Sequence, residues 1–230
     1  SLQANEKTKG FFSALELEDE IWFGGADSNL LQYTKGTQNY RTHQLGLKGE
    51  IIILKKIDRA TVVAITEQAE FCLINIYTGQ TTKFKTSDLP SLAQKKINVI
   101  SLSQDLLWFT CKEEAGIYAI NIKTKKITYF PAGSAETGAT QFSVKATVLT
   151  NAKGEIWIQP NNGSFSKYDA TTNRLIPFET TAYFPKGNFS NKFHVAYFDR
   201  QGNLWYNTQT SGIIKVTFNQ NNFKALKIEN

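Results

Sequence analysis

Two histidines are the candidates for acid–base chemistry in this chain of 230 residues, because imidazole can take up a proton near neutral pH. They are His43 and His194, and a lone histidine at the start of a strand is more often packed or hydrogen-bonded than catalytic. Acidic neighbours occur at Glu113 and Glu114, but adjacent residues on a strand point to opposite faces and do not form an acid–base pair. We therefore predict no catalytic residue.

Two cysteines, Cys72 and Cys111, are the remaining side chains that could ligate a metal or form a disulfide. They fall on separate predicted strands without metal-ligand spacing, which favours buried thiols over a disulfide. The sequence also contains no glycine-rich phosphate loop, no Cys/His cluster and no nucleophile elbow. We predict no metal and no cofactor.

The distribution of charged and apolar residues indicates whether the chain binds nucleic acid or a membrane. The chain has 26 basic and 20 acidic residues, and its densest basic groups, Lys95–Lys96 and 123–126, fall in predicted loops. Such groups are typical of solvated turns, so we predict no nucleic-acid partner. No apolar run approaches the roughly 20 residues that span a bilayer, so we predict no membrane contact by this segment. A start at Ser1 and the lack of Met indicate a processed or engineered segment.

Amide, charged and aromatic side chains in predicted loops are the candidates for binding. Hydroxyl groups of a sugar take paired hydrogen bonds from amides and charged groups, and the C–H faces of a sugar stack on aromatic rings. The alternative for the aromatic residues in the loop 179–193 is that they close the core beneath that loop. The candidate ligand-binding residues are Lys112, Glu113, Asn161, Asn162, Tyr183, Phe184, His194 and Gln209.

The sequence contains a repeat marked by tryptophan, and this repeat predicts the strands and loops that carry the candidate binding residues. Trp108, Trp157 and Trp205 recur about every 48 residues, and the gap from Trp22 to Trp108 is nearly twice as long. Val63 stands near the middle of that gap, so it takes the place of the missing tryptophan. The chain therefore contains five repeats. We expect the tryptophans to pack between neighbouring repeats rather than to bind a ligand.

Each repeat reads as four short strands joined by turns. Gly154 and Gly202 follow Asn151 and Asp199 in turns that need positive φ, and Pro177 fits only an outer strand. The pattern predicts an all-β fold, a β-propeller with about five four-stranded antiparallel blades or part of a larger propeller, in a single domain 1–230. The blades are predicted at roughly 11–43, 51–84, 97–130, 145–178 and 193–228.

In a propeller, the loops between second and third strands share one face with the loops between blades. We place the ligand site on that face, where the candidate binding residues meet. His43 ends an outer strand and His194 begins an inner strand, so the two histidines should lie far apart.

The segments 151–158 and 199–206, followed by 212–216, resemble the two-component regulator propeller repeat. The resemblance extends over all five repeats, although Asp19 replaces the turn glycine in the first. It implies the periplasmic or extracellular sensor region of a hybrid histidine kinase, in a family where many members respond to carbohydrate fragments. The implied ligand is a small molecule or an oligosaccharide. The implied partner is a second propeller or a second copy of this chain in a homodimer, and the segment itself is expected not to be an enzyme.

Two alternatives remain open. The third repeat, at 107–110, 117–121 and 126–131, is similar to the repeat of streptogramin lyases, which implies elimination chemistry with a histidine base and magnesium. His194 would be that base. The other alternative is a protein-interaction scaffold, which the sequence distinguishes poorly from a sensor.

Overall fold

The computed structural model describes residues 10–132, 146–159, 165–177, 193–208, 212–218 and 223–227, and at 193–195, 208, 218 and 223–227 it describes only the backbone. These residues form five four-stranded antiparallel sheets, in each of which the strands pair in chain order. Such sheets are the blades of a β-propeller, so the predicted fold class is confirmed. We number them blades 1 to 5.

The strands are joined by turns and loops, two of which contain short 3-10 helices, at Ala26–Ser28 and Thr86–Asp88. Blade 1 comprises β1 (Phe11–Glu16), β2 (Glu20–Gly25), β3 (Asn29–Thr34) and β4 (Asn39–Gln44). Blade 2 comprises β5 (Ile51–Lys56), β6 (Thr61–Thr66), β7 (Phe71–Asn75) and β8 (Thr81–Phe84). Blade 3 comprises β9 (Ile97–Ser103), β10 (Leu106–Cys111), β11 (Ile117–Asn121) and β12 (Ile127–Phe130). Blade 4 comprises β13 (Thr147–Thr150), β14 (Ile156–Gln159), β15 (Ser166–Asp169) and β16 (Arg174–Pro177). Blade 5 comprises β17 (Phe193–Phe198), β18 (Leu204–Thr208), β19 (Gly212–Phe218) and β20 (Phe223–Lys227).

The chain divides into two compact units, Ser1–Val99 and Ile100–Asn230, with the boundary inside β9. In the first unit, Trp22 and Leu30 of blade 1 are buried against blade 2, in a cluster with Val62, Ala64 and Ile74. We call the side of a blade that carries the tryptophan position its trailing face and the opposite side its leading face. In the core of the first unit, the trailing face of blade 1 therefore packs on the leading face of blade 2.

The second unit repeats this arrangement twice. Trp108 of blade 3 packs with Val148 and Ile158 of blade 4, and Trp157 of blade 4 packs with Tyr206 of blade 5. The prediction that tryptophans pack between blades is confirmed at these positions. Trp205 differs, because it is only partly buried on the trailing face of blade 5.

The predicted buried thiols are confirmed. Cys72 and Cys111 are both buried, and neither forms a disulfide. Desolvation by burial raises the pKa of Cys72 to about 11, and the nearby Lys83 ammonium offsets only part of that effect. The Cys72 thiol is therefore neutral at physiological pH.

In blades 4 and 5, one amide or acidic side chain builds the turn between the first and second strands. Asp199 accepts hydrogen bonds from the Asn203 backbone N–H and the Trp205 indole N–H, both at 2.8 Å. Asn151 accepts from the Glu155 backbone N–H at 2.9 Å in the same way, and Gly154 and Gly202 both have positive φ. The predicted role of these glycines is thus confirmed.

Asp199 makes the stability of the chain depend on pH. Desolvation raises the pKa of this carboxyl, but hydrogen bonds from Trp205 and Asn203 outweigh it and lower the pKa to about 2. The stabilisation is present above the unfolded pKa of about 3.9 and is lost as the pH falls towards the folded value. We expect urea denaturation midpoints to drop between about pH 4 and pH 2 and to drop less in Asp199→Asn. Equal pH dependence in the two proteins would contradict this assignment.

Gly24 is required by the close approach of blade 1 to blade 2. A Cβ at this position would lie 2.4 Å from Ser13 Oγ and 2.5 Å from Ile51 Cγ2, while the Ser13 hydroxyl donates to the Ile51 carbonyl at 2.8 Å. We expect Gly24→Ala to lower the free energy of unfolding by about 2 kcal/mol, because the core is overpacked. Gly36→Ala is the matched control, since nothing lies within 4 Å of its Cβ position. Equal denaturation midpoints for the two variants would argue against the close contact.

Candidate functional site

The predicted ligand face is structurally braced in the first unit. Ser28 precedes β3 and is buried, and its hydroxyl oxygen accepts the Leu47 backbone N–H at 3.0 Å. Glu70 holds the equivalent position before β7, and its carboxylate accepts the Lys48 N–H at 2.7 Å and the Ser87 hydroxyl at 2.8 Å. Both side chains therefore fix the segment that connects blade 1 to blade 2.

In the second unit the structure describes two of the eight predicted binding side chains. Lys112 and Glu113 lie in the loop between β10 and β11, and both side chains are exposed. His194 lies on β17, where only the backbone is described. The remaining predicted residues lie outside the described residues: Asn161, Asn162, Tyr183, Phe184 and Gln209. The predicted site therefore stays a prediction.

A cleft between blades 1 and 2, which we call the outer cleft, is a ligand-sized site that the sequence did not predict. Its volume is about 440 Å³, within the range of pockets that hold small ligands. It lies between the trailing face of blade 1 and the turn from β7 to β8. The residues that line it are Glu20, Trp22, Leu30, Gln32, Arg41, His43, Gln44, Leu45, Ile74, Asn75, Ile76, Tyr77, Thr78, Gly79, Thr81 and Lys83.

The floor of the outer cleft is apolar and rigid. Trp22, Leu30, Leu45 and Ile74 are all at most 5% exposed and belong to the core between the two blades. Further out, every residue of β4 is exposed, so this strand has no packed neighbour on its trailing side. The blades meet closely at the inner strands and leave space between the outer ones.

The blade 1 side of the outer cleft is polar towards the outer strand, because residues that alternate along β3 and β4 place their polar side chains on the trailing face. Gln32 pairs with Arg41 across β3 and β4, and Leu30 pairs with His43, so all four share the trailing face of blade 1. His43 Nε2 and Gln32 Oε1 are 2.7 Å apart, which orients both side chains. His43 is the next-to-last residue of β4, close to its predicted place at the end of the outer strand.

The opposite side carries Lys83 and Thr81 of β8. Cys72 pairs with Lys83 and Ile74 pairs with Thr81, which places these two outer residues on the leading face of blade 2. Within the described chain, neither Arg41 nor Lys83 has an ion-pair partner. Glu20 is the acidic lining residue, and its carboxylate accepts the Trp22 indole N–H at 2.6 Å. The outer cleft therefore has a positive balance of charge.

Tyr77 stands at the mouth of the outer cleft in a well-defined turn. The Asn75 side-chain oxygen accepts the Tyr77 and Thr78 backbone N–H groups at 3.0 and 2.9 Å, and Gly79 has positive φ. Asn121 forms the same turn in blade 3, where Lys123 takes the place of Tyr77. The turn does not need an aromatic residue there, and Tyr77 is 74% exposed.

The sequence held one signal for the outer cleft. Arg41 and His43 are polar residues two apart on a strand, on the side that should pack against the next blade. Taken alone in the sequence, His43 is only a candidate base. Within the described ranges, no cluster of three or more His, Cys, Asp or Glu residues could hold a metal ion, and no helix is long and apolar enough to cross a membrane.

No protein-family model matches the sequence, and no curated protein matches it significantly. Solved structures do resemble the fold. One is the extracellular domain of a predicted hybrid two-component system from Bacteroides thetaiotaomicron, with a TM-score of 0.58 at 16% identity over 100% of this chain. The chain covers 30% of the length of that protein.

Two further structures are similar at lower TM-scores. A β-propeller domain from Myceliophteria thermophila has a TM-score of 0.49 at 13% identity, covering 95% of this chain and 69% of its own. A luciferin-regenerating enzyme has a TM-score of 0.48 at 12% identity, covering 96% of this chain and 77% of its own. At these identities the likeness concerns the fold.

Proposed function

We propose that this chain is a ligand-sensing propeller module of a two-component signalling protein, located in the periplasm or outside the cell. The module binds a small molecule or oligosaccharide without converting it. Binding shifts the signalling protein between two states, because the ligand has different affinities for them.

The observation that carries this proposal is the likeness of the whole chain to the extracellular domain of a hybrid two-component system. The repeat resemblance found in segments 151–158 and 199–206 points to the same class. The outer cleft adds a place for a ligand, since it joins two blades and combines an apolar floor with polar sides. A ligand there would contact both blades and could change how they pack.

The test is a thermal-shift screen of the 230-residue chain against a panel of neutral and acidic oligosaccharides. A ligand at 100 times its Kd adds about 2.7 kcal/mol to the free energy of unfolding if it binds only the folded state. For a chain of this size we expect Tm to rise by roughly 5–10 °C. A panel that leaves Tm unchanged would contradict the proposal.

The same samples distinguish the sensor from the two alternatives. Chromatography of the recovered ligand should show no conversion, with or without magnesium. Magnesium-dependent loss of the ligand that disappears in His194→Ala would instead identify a lyase. A blank panel together with a stable protein partner in a pull-down would identify a scaffold.

We further propose that a second copy of this chain is a partner. The leading face of blade 1 carries exposed aromatic side chains: the rings of Phe11 and Phe23 lie 5.4 Å apart, and Phe11 and Tyr40 are 49% and 59% exposed. The trailing face of blade 5 presents Trp205 beside the exposed Tyr197 and Ile213. Within each unit the trailing face of one blade packs on the leading face of the next. The leading face of blade 1 in one copy would therefore pack on the trailing face of blade 5 in another copy, head to tail.

Sedimentation velocity over a range of concentrations tests this association. We expect the chain to self-associate, and we expect Tyr40→Glu and Tyr197→Glu each to shift it towards the monomer. Tyr77→Glu is the control, because Tyr77 is exposed but lies on neither face. A chain that stays monomeric at all concentrations would contradict the second-copy partner.

A further inference from the structure

The charged side chains that line the outer cleft favour a negatively charged ligand. Its two fixed cations come from different blades, Arg41 from β4 of blade 1 and Lys83 from β8 of blade 2. Among the residues that line the cleft, Glu20 is the one acid, and its carboxylate accepts the Trp22 indole N–H. The two cations exceed this one carboxylate, so a neutral ligand would leave the excess positive charge of the cleft without a counter-charge.

We propose that the outer cleft binds an acidic saccharide through its carboxylate. The inference rests on the proposed sensor function and adds the site and the class of ligand. A guanidinium offers a planar pair of donors that matches a carboxylate, and an ammonium adds a second charge-assisted hydrogen bond. Arg41 and Lys83 together therefore supply the recognition of the acid group.

The other lining residues suit the rest of a sugar. His43 and Gln32 are held together at 2.7 Å, and their remaining donor and acceptor positions are available to hydroxyl groups. Tyr77 offers a ring at the mouth, where the Asn75 turn fixes its backbone. Aromatic faces stack on the C–H faces of sugar rings, while the cleft volume of about 440 Å³ fits a short oligosaccharide rather than a long chain.

The location between blades explains how such a ligand would be sensed. Arg41 and Lys83 stand on separate sheets, so a carboxylate bound by both joins the outer strands of blades 1 and 2. Those strands have no close packing of their own at this point, because all of β4 is exposed. The ligand would therefore stabilise the two blades in one relative arrangement.

The experiment is isothermal titration of the 230-residue chain with a uronic-acid disaccharide, with the same disaccharide after reduction of its carboxyl groups, and with inorganic sulfate. We expect the uronic acid to bind, the reduced sugar to bind at least tenfold more weakly, and sulfate to bind more weakly than the acid sugar. Binding of the acid should weaken as salt is raised, because exposed charges are screened.

Variants assign the binding to the outer cleft. We expect Arg41→Gln and Lys83→Gln each to raise Kd for the uronic acid about tenfold or more, the effect of losing a charge-assisted hydrogen bond. Arg59→Gln and Lys56→Gln are matched controls, because both residues are exposed on blade 2 outside the cleft. Tyr77→Ala should raise Kd several-fold for a sugar ligand and leave sulfate binding unchanged.

The outcomes separate this inference from the proposed function. If the reduced sugar binds as tightly as the acid, or if Arg41→Gln binds like Arg59→Gln, the acidic-saccharide site is wrong while the sensor function stands. If sulfate binds as tightly as the acid sugar, the cleft recognises an anion only, and the proposal that its ligand is a saccharide is wrong. If neither acidic nor neutral saccharides bind the folded chain, both proposals fall.

Discussion

Replacing Trp108 by alanine is expected to lower the free energy of unfolding by about 4 kcal/mol, the usual cost of removing a large buried aromatic side chain. The Trp108 ring is fully buried between blades 3 and 4. It stacks on Phe130 at 5.8 Å within its own blade and meets Tyr168 of blade 4 edge-on at 5.4 Å. Alanine would remove both contacts and leave a cavity at the blade interface.

Two further variants make this prediction specific, with urea denaturation as the measurement. Trp205→Ala removes the same residue type from a partly exposed face and should cost only about 1 kcal/mol, mainly the loss of the Asp199 hydrogen bond. Trp108→Phe should cost less than Trp108→Ala, since it keeps most of the ring packing. If Trp108→Ala and Trp205→Ala were equally destabilising, the tryptophan repeat would not mark blade packing.

Replacing Glu70 by alanine should be the second most damaging change, with an expected loss of about 3 kcal/mol of stability. Glu70 is 1% exposed, and its two carboxylate oxygens accept the Lys48 N–H and the Ser87 hydroxyl. Alanine would remove two hydrogen bonds to a charged acceptor. Each contributes about 1.5 kcal/mol, the lower end of the usual range, because the donor residues Lys48 and Ser87 are themselves exposed.

Glu70→Gln tests the cause. Glutamine keeps the shape and one acceptor oxygen, so it should cost about 1 kcal/mol by the same denaturation measurement. Glu67→Ala is the control, because this neighbouring acid is exposed. A Glu70→Ala variant no less stable than Glu67→Ala would show that Glu70 does not hold the connector between blades 1 and 2.

The fold could be predicted from sequence because it depends on local and repeated signals. Trp157 and Trp205 lie at equivalent places in their repeats, and the turn glycines Gly154 and Gly202 precede them at one spacing. Val63 shows that the place matters more than the residue type, since it lies on β6 where Trp22 lies on β2. The bounds agree closely for the same reason: blade 1, predicted at roughly 11–43, ends with β4 at Gln44.

The outer cleft could not be predicted in the same way, because it depends on side chains far apart in sequence. Arg41 and Lys83 share a cleft only because β4 and β8 are the outer strands of neighbouring blades. Glu70 likewise resembles an ordinary loop acid in the sequence. Its burial follows from the backbone of the connector around Lys48, which no local pattern reveals.

The most direct test of the sensor account is calorimetric titration of the 230-residue chain with the best ligand of the oligosaccharide panel, followed by chromatography of the recovered ligand. The account predicts saturable binding at one site per chain and a ligand recovered unchanged. Either a flat titration across the panel or conversion of the bound ligand would contradict it.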